Sequence, residues 1–302
     1  MPARSRTTVY LMLVLVMLLW SGNSVVARAI HEEMPPFTLA FLRWTGATII
    51  ALPLAWSHLR RDLPEAKANW KIILLLGVVG VGCFNAFMYS GLQYTTAANS
   101  LLIQAAIPAL VLLLDFLFFR NRPRATQIIG VIVAATGVLT IIFQGRLSAL
   151  FAMAFNRGDL LVLCAVTLWS LYTVLLRLRP KIHGVSFLAI TVAIGVLCMA
   201  PLSAFELTHA RVIMTPGVAA GVAYVILLPS LVAYFLFNLA VEQIGAGDAG
   251  QVINLQPVFG ALLAALLLGE PLHGYHLGGM ALIFIGIGLP FLRRSIRAPM
   301  AH

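Results

Sequence analysis

Pro108 and Pro257 stand 149 residues apart, each near the centre of an apolar run that also carries side-chain amides. The same interval carries Trp20-Ser21 onto Trp169-Ser170, Val25 onto Val174, Arg28 onto Arg177, Gly130 onto Gly279 and Gly137 onto Gly286. One constant offset from the first apolar run to the last restricts the chain to a duplicated architecture. Residues 1–149 form the first unit and 150–302 the second.

The duplicated unit is membrane-embedded. Hydrophobic residues make up 61% of the chain and charged residues 10%, and the mean hydropathy is +0.98, far beyond what a soluble domain requires. The periodicity predicts an all-α polytopic fold of ten transmembrane helices at about residues 9–28, 37–57, 71–92, 98–119, 125–143, 158–177, 185–205, 216–240, 248–268 and 275–292. Arg4 and Arg6 precede the first run, as in a secretory leader. Trp20 and Asn23 within it, the lack of a small-x-small cleavage site and its counterpart in mid-chain make it a retained helix.

The net charge of +10 is a topology signal. With ten helices, 15 of the 20 Lys and Arg fall on one side, 4 on the other, and Arg43 lies inside a helix. By the positive-inside rule both termini and residues 120–124 are cytoplasmic, while Arg146 and Arg157 are periplasmic. Nucleic acid is not an expected partner. Five helices per unit is an odd number, so the second copy must enter the membrane the other way up, giving inverted repeats with a site at their interface.

Residues 246–271 show what that site needs. Gln251, Asn254 and Gln256 share one span with Pro257, whose missing donor and bulky ring open the helical ladder at about Ile253. In hydrocarbon, opened backbone and amides are tolerated only against protein or a water-filled cavity. Pro108 and Pro257, which are also readable as ordinary kinks, are expected to bend their helices around that cavity. Gln256 points elsewhere and caps the opened turn.

Helical spacing sorts the remaining candidates. Trp20 and Asn23 share one stripe with Ser24 and Ala27, and Trp169 and Tyr172 share another with Thr173 and Leu176. Both tryptophans lie well inside their helices, which favours cavity lining over an interfacial belt. Asn85 and Tyr89 sit with Gly82 and Gln93, and the equivalent stripe holds Leu231, Tyr234, Asn238 and Glu242. The asparagines are readable as substrate contacts or as interhelical hydrogen bonds. Gln104 lies with Ser100, Val111 and Asp115, and Gln251 and Asn254 lie with Asp248 and Val258. The glycine pairs at 130, 137, 279 and 286 let backbones approach closely, as a buttress or a dimer contact rather than a lining.

The chain has no Walker motif, His-Glu-x-x-His or nucleophile elbow, so neither an ATPase nor a hydrolase is expected. Cys83, Cys164 and Cys198 have no metal-ligand spacing and read as small packing residues. No cofactor or metal is expected. Arg43 stands near a helix end, from which it can snorkel outward. Asp115 and Asp248 lie near cytoplasmic ends. A core without fixed charge suits solutes that are net neutral but partly apolar, such as zwitterionic amino acids with hydrophobic or aromatic side chains.

Gly269-Glu270-Pro271 after the Pro257 helix, the ten-helix plan and the glycine-rich close at Ile285-Gly286-Ile287-Gly288 resemble the drug/metabolite transporter superfamily over essentially the whole chain, and its EamA branch most closely. The first half has Arg120-Asn121-Arg122-Pro123 where the second has Gly-Glu. The resemblance implies a cavity between the halves opening alternately to each side. It also implies export of aromatic and other hydrophobic amino acids (Phe, Trp, Leu, Met and Thr) across a bacterial inner membrane. An exporter of lipophilic cations or methyl viologen is the alternative within the superfamily, and a structural or signalling membrane protein lies outside it. The partners are a small solute and the bilayer; the oligomeric state is open, with a monomer allowed.

Overall fold

The computed structural model describes residues 5–95, 97–145, 156–268 and 271–292. Arg4, Arg146, Arg293, Arg294, Arg297 and the Gly269-Glu270 step lie outside the described residues.

These residues are helical, with no strand among them. The order is α1 (Arg6–Ala29), α2 (Pro36–Ala68), α3 (Trp70–Leu92), α4 (Ala97–Gln104), α5 (Ile107–Phe119), α6 (Ala125–Ile142), α7 (Arg157–Leu178), α8 (Gly184–Glu206), α9 (Pro216–Ile244), α10 (Ala246–Leu267) and α11 (Gly274–Leu292). Eight of these are long and apolar enough to cross a bilayer: α1, α2, α3, α6, α7, α8, α9 and α10. One sequence expectation changes here. The span at 98–119 is two helices, because Pro108 at the second position of α5 restarts the ladder after the turn at Ala105 and Ala106. The last helix, α11, runs over Gly274–Leu292, as the periodicity places it.

Local chemistry sets the ends. Ser5 caps α1, its Oγ accepting from the Thr8 amide at 3.2 Å. At the other end of the bundle Pro36 opens α2, and the freed amides of Phe37 and Thr38 donate to the Glu206 carboxylate at 3.2 and 2.7 Å. A carboxylate from the last residue of α8 thus serves the helix N-terminus beside it. The sequence ends α2 at about residue 57, yet it runs on to Ala68 through Pro53 and Pro64. The extension is polar but built of good helix formers, so it continues outside the apolar layer until Asn69.

Two interruptions have no simple sequence signature. α3 widens to π-helix over Val78–Cys83 and α9 over Ile226–Ala233. Gly80 and Pro229, inside these segments, are themselves 149 residues apart. The third interruption was expected: α10 tightens to a 3-10 turn over Val252–Leu255, just before Pro257.

Packing is close where glycines meet. α6 and α11 lie along each other. A Cβ on Gly137 would come within 2.5 Å of the Gly279 carbonyl, and one on Gly286 within 2.5 Å of the Gly130 carbonyl. The glycine pairs therefore form a backbone-to-backbone seam within the chain, the buttress of the two expected roles. The cysteines are free and half-buried, and no metal-ligating group of His, Cys, Asp or Glu exists among the described residues.

Candidate functional site

A cavity of about 740 Å³ enters the bundle from one end. At one end it reaches Ser24, Arg28, Leu92 and Gln93, all exposed near the C-termini of α1 and α3. It ends at buried Trp169 and Tyr234, deep in α7 and α9. The cavity is thus open at the Ala29 end of α1 and blind toward the Arg6 end.

Its floor is aromatic. The rings of Trp20 and Trp169 meet edge-on with centroids 5.3 Å apart. Tyr234 lies 5.7 Å from Trp20 and 5.6 Å from Trp169, and Phe84 packs on Trp169 at 5.0 Å. Such tilted pairs are preferred by aromatic quadrupoles and hold the rings in register. The π-helical segments lock two of them. Trp20 Nε1 donates to the Pro229 carbonyl at 3.2 Å, and the Tyr234 hydroxyl donates to the Gly80 carbonyl at 3.3 Å.

The walls are polar at intervals. Asn85 lines the cavity while donating to the Val81 carbonyl at 2.7 Å. Gln104 Nε2 reaches Ser100 Oγ at 3.2 Å. Asn23 lines the cavity with a buried Oδ1 that has no partner. Tyr89, Gln256 and Pro257 complete the wall. Of the sequence candidates, Trp20, Asn23, Asn85, Tyr89, Gln104, Trp169, Tyr234 and Pro257 converge on this space.

The others do not line it. Asn238 is buried behind the floor, where its Oδ1 accepts from the Tyr172 hydroxyl at 2.7 Å, so these two form the interhelical bond that was the alternative reading. Gln251 lies toward the closed end, its Nε2 donating to the Gln127 carbonyl at 3.3 Å. Asn254 is buried in the 3-10 turn with no partner for its Nδ2. Pro108 is buried beside the cavity, at the start of α5. Helical spacing puts Tyr172, Asn238, Gln251 and Asn254 on the right stripes but does not say how far along the axis the cavity extends.

Sequence reasoning missed other lining residues. Gln256 faces the cavity instead of capping the turn, and Ser21 Oγ supplies the bond to its carbonyl at 2.9 Å. Ile141 and Ile142 of α6 also contribute lining. The largest correction is Arg43. It does not snorkel: the residue is 4% exposed and lines the cavity, with its guanidinium 4.3 Å over the Trp44 ring. A lone charge inside an apolar run was the signal that could have found it.

Charge and amides close the opposite end. Asp248 accepts from Gln127 Nε2 at 2.9 Å and pairs with Arg6 at 3.2 Å. Asp115 accepts from Asn121 Nδ2 at 2.6 Å and pairs with Arg177 at 3.2 Å, while Arg179 meets Glu242 at 2.8 Å. These contacts join α1, α6 and α10, then α5 and α7, then α7 and α9. Among the described residues, no carboxylate lines the cavity.

Known proteins share this plan. The model of the EamA-like transporter family matches residues 7–143 and again 156–292. The uncharacterized protein PA1977 of Pseudomonas aeruginosa is 30% identical over 301 residues, covering 95% of this chain and 96% of that protein. The uncharacterized transporter YyaM of Bacillus subtilis is 28% identical over 225 residues, 74% of this chain and 73% of its own. A probable amino-acid metabolite efflux pump of Salmonella typhimurium is 26% identical, covering 90% of this chain and 91% of that one. One solved crystal structure superposes with a TM-score of 0.78 at 20% identity, over 97% of this chain and all of that one, a likeness of fold. With an all-helical bundle of membrane-spanning helices around a one-ended cavity, and a family match over both halves, the chain belongs to the EamA-like transporter family.

Proposed function

We propose that the chain is a secondary transporter that exports hydrophobic and aromatic amino acids across a bacterial inner membrane by alternating access. In this reading α4 and α5 together count as one interrupted span, giving ten spans in two inverted repeats, residues 1–149 and 150–302. The carrying observation is a cavity open at one end and blind at aromatic mid-depth, with ion pairs between helices beyond the blind end. The family match itself falls in two blocks 149 residues apart, the interval of the repeat.

The substrate reading rests on the lining. Trp20, Trp169, Tyr234 and Phe84 offer stacking and apolar burial to a side chain, and Asn23, Asn85, Tyr89 and Gln104 offer hydrogen bonds to a polar head. The efflux pump of Salmonella typhimurium supports the same class of cargo. A lipophilic cation gains less from this space, which is lined by two guanidinium groups, Arg28 at the mouth and Arg43 within, and by no carboxylate among the described residues. Positive-inside placement puts the termini in the cytoplasm, so the cavity faces the periplasm.

Uptake of labelled Phe, Trp, Leu, Met, Thr and methyl viologen into proteoliposomes tests the reading. Amino-acid flux that follows the solute gradient is expected, with less than about a tenfold change on collapsing the pH gradient, because no lining carboxylate is placed to carry a coupled proton. Flux of methyl viologen with none of any amino acid would reject it.

A further inference from the structure

We infer that Arg43 is the carboxylate-recognition residue of the cavity, and that the substrate class is organic carboxylates, amino acids among them but with the ammonium group dispensable. The inference rests on the transport reading and deepens it.

The guanidinium of Arg43 is held from one side only. Its Nε donates to Ser230 Oγ at 3.0 Å, and its Cζ lies 4.3 Å from the Trp44 ring centroid. Ser230 is fixed in turn: its hydroxyl donates to the Val225 carbonyl at 2.8 Å, five residues back in the π-helical segment. The Ser230 proton is thereby committed, which leaves its oxygen lone pairs for Arg43. Trp44 is fully buried and meets Tyr234 edge-on at 5.1 Å. Among the described residues no carboxylate lies within ion-pairing distance of Arg43, and no acceptor bonds its two terminal nitrogens.

A helix pin would not need this chemistry. A neutral donor would hold Ser230 equally well, whereas an arginine takes a buried cation with it and leaves its terminal nitrogens without a protein acceptor. The arrangement gains its sense when an anion arrives. With Nε occupied, the terminal pair of nitrogens presents the parallel donors that match a carboxylate in bidentate geometry. The position 149 residues on is Val192, so the cation exists in one half only. The cavity is therefore polarised, orienting the cargo with its carboxylate toward α2 and α9 and its side chain toward Trp20 and Trp169.

Binding to the full-length protein in detergent, followed by intrinsic tryptophan fluorescence, provides the test with three probes: L-phenylalanine, 3-phenylpropionate and phenethylamine. The parent should bind the first two and bind phenethylamine at least tenfold more weakly. Arg43→Gln should lose at least tenfold affinity for both carboxylates and leave phenethylamine unchanged or improved. Arg43→Lys should recover only part of the loss, since a point charge cannot form the fork. Equal parental affinity for phenethylamine and 3-phenylpropionate overturns the assignment without any variant, so a misfolded Arg43→Gln does not protect it. Parental binding of neither carboxylate also overturns it, while flux of other solutes in proteoliposomes would still uphold the transport reading. Unchanged carboxylate binding in a folded Arg43→Gln overturns it directly.

Discussion

The indole N–H of Trp20 reaches the backbone carbonyl of Pro229 across 3.2 Å, tying the first helix to the π-helical segment of α9. Its partner interaction, Tyr234 onto Gly80 at 3.3 Å, ties α9 to the matching segment of α3. π-Helical widening displaces carbonyls from the normal ladder, and here two of those carbonyls fix aromatic rings that floor the cavity. Trp20→Phe keeps the ring but removes the donor. It should cost about 1 kcal/mol of stability and reduce flux of all amino acids together. Thermal melting with flux per folded protein checks both.

Trp169 is expected to act on selectivity. It lies in the floor against Trp20, Phe84 and Tyr234. Trp169→Ala should reduce transport of Phe and Trp by roughly two- to tenfold more than that of Thr, the scale of a lost aromatic contact. An unaltered ratio of Phe to Thr flux would show that the ring does not touch cargo.

Tyr172 and Asn238 should behave oppositely. Their hydrogen bond is buried behind the floor. Asn238→Leu and Tyr172→Phe should each lower stability by about 1–2 kcal/mol while leaving the order of substrates intact. The double variant should cost less than the sum of the two, which a thermodynamic cycle on melting data measures.

The closed end offers a population readout. Asp248→Asn removes the charge that meets Arg6 and keeps an oxygen for Gln127. Because Arg6 is half-exposed, the pair contributes no more than about 1 kcal/mol. A cysteine at position 249, in a background without the native three, should then react about two- to fivefold faster with an impermeant maleimide applied from the Arg6 side. No change in rate would show that this pair does not hold the end shut.

Outside the apolar layer, His183 stacks on His58 with centroids 3.8 Å apart. Burial first, and then the neighbouring His58, push the His183 imidazole below its ordinary value, with Asp62 opposing. The unfolded chain titrates near 6.5 and therefore takes up the proton first as pH falls. Stability conferred by neutral His183 is whole above about pH 6.5 and is lost as pH drops from there toward the lowered native value. Melting temperatures between pH 8 and 5 should fall in that window, and His58→Gln should shallow the fall. A parent that is flat across the range contradicts this.

Particular residues show what could be read from sequence and what could not. The break before Pro257 was legible because proline removes a donor wherever it sits, and the 3-10 turn at Val252–Leu255 occupies the expected place. The π-helical segments were not, since Gly80 and Pro229 share no side-chain chemistry. Periodicity placed Asn85 and Asn238 on inward stripes alike. Only depth in three dimensions separates the one that meets the cavity from the one that meets Tyr172. Arg43 was misjudged because distance from a helix end says how far a side chain could reach, not which acceptor, ring or space surrounds it.

Along α6 and α11, a Cβ on Gly279 would stand 2.6 Å from the Gly137 carbonyl, and one on Gly286 2.6 Å from the Ala134 amide. At those points main chain meets main chain, flanked by the side chains of Ile141, Ile283 and Ala134, so the helices have little between them to slide. A joint of this kind has one length. In the transport cycle proposed above, this seam is expected to keep the distance between the two helices constant while other parts of the bundle move.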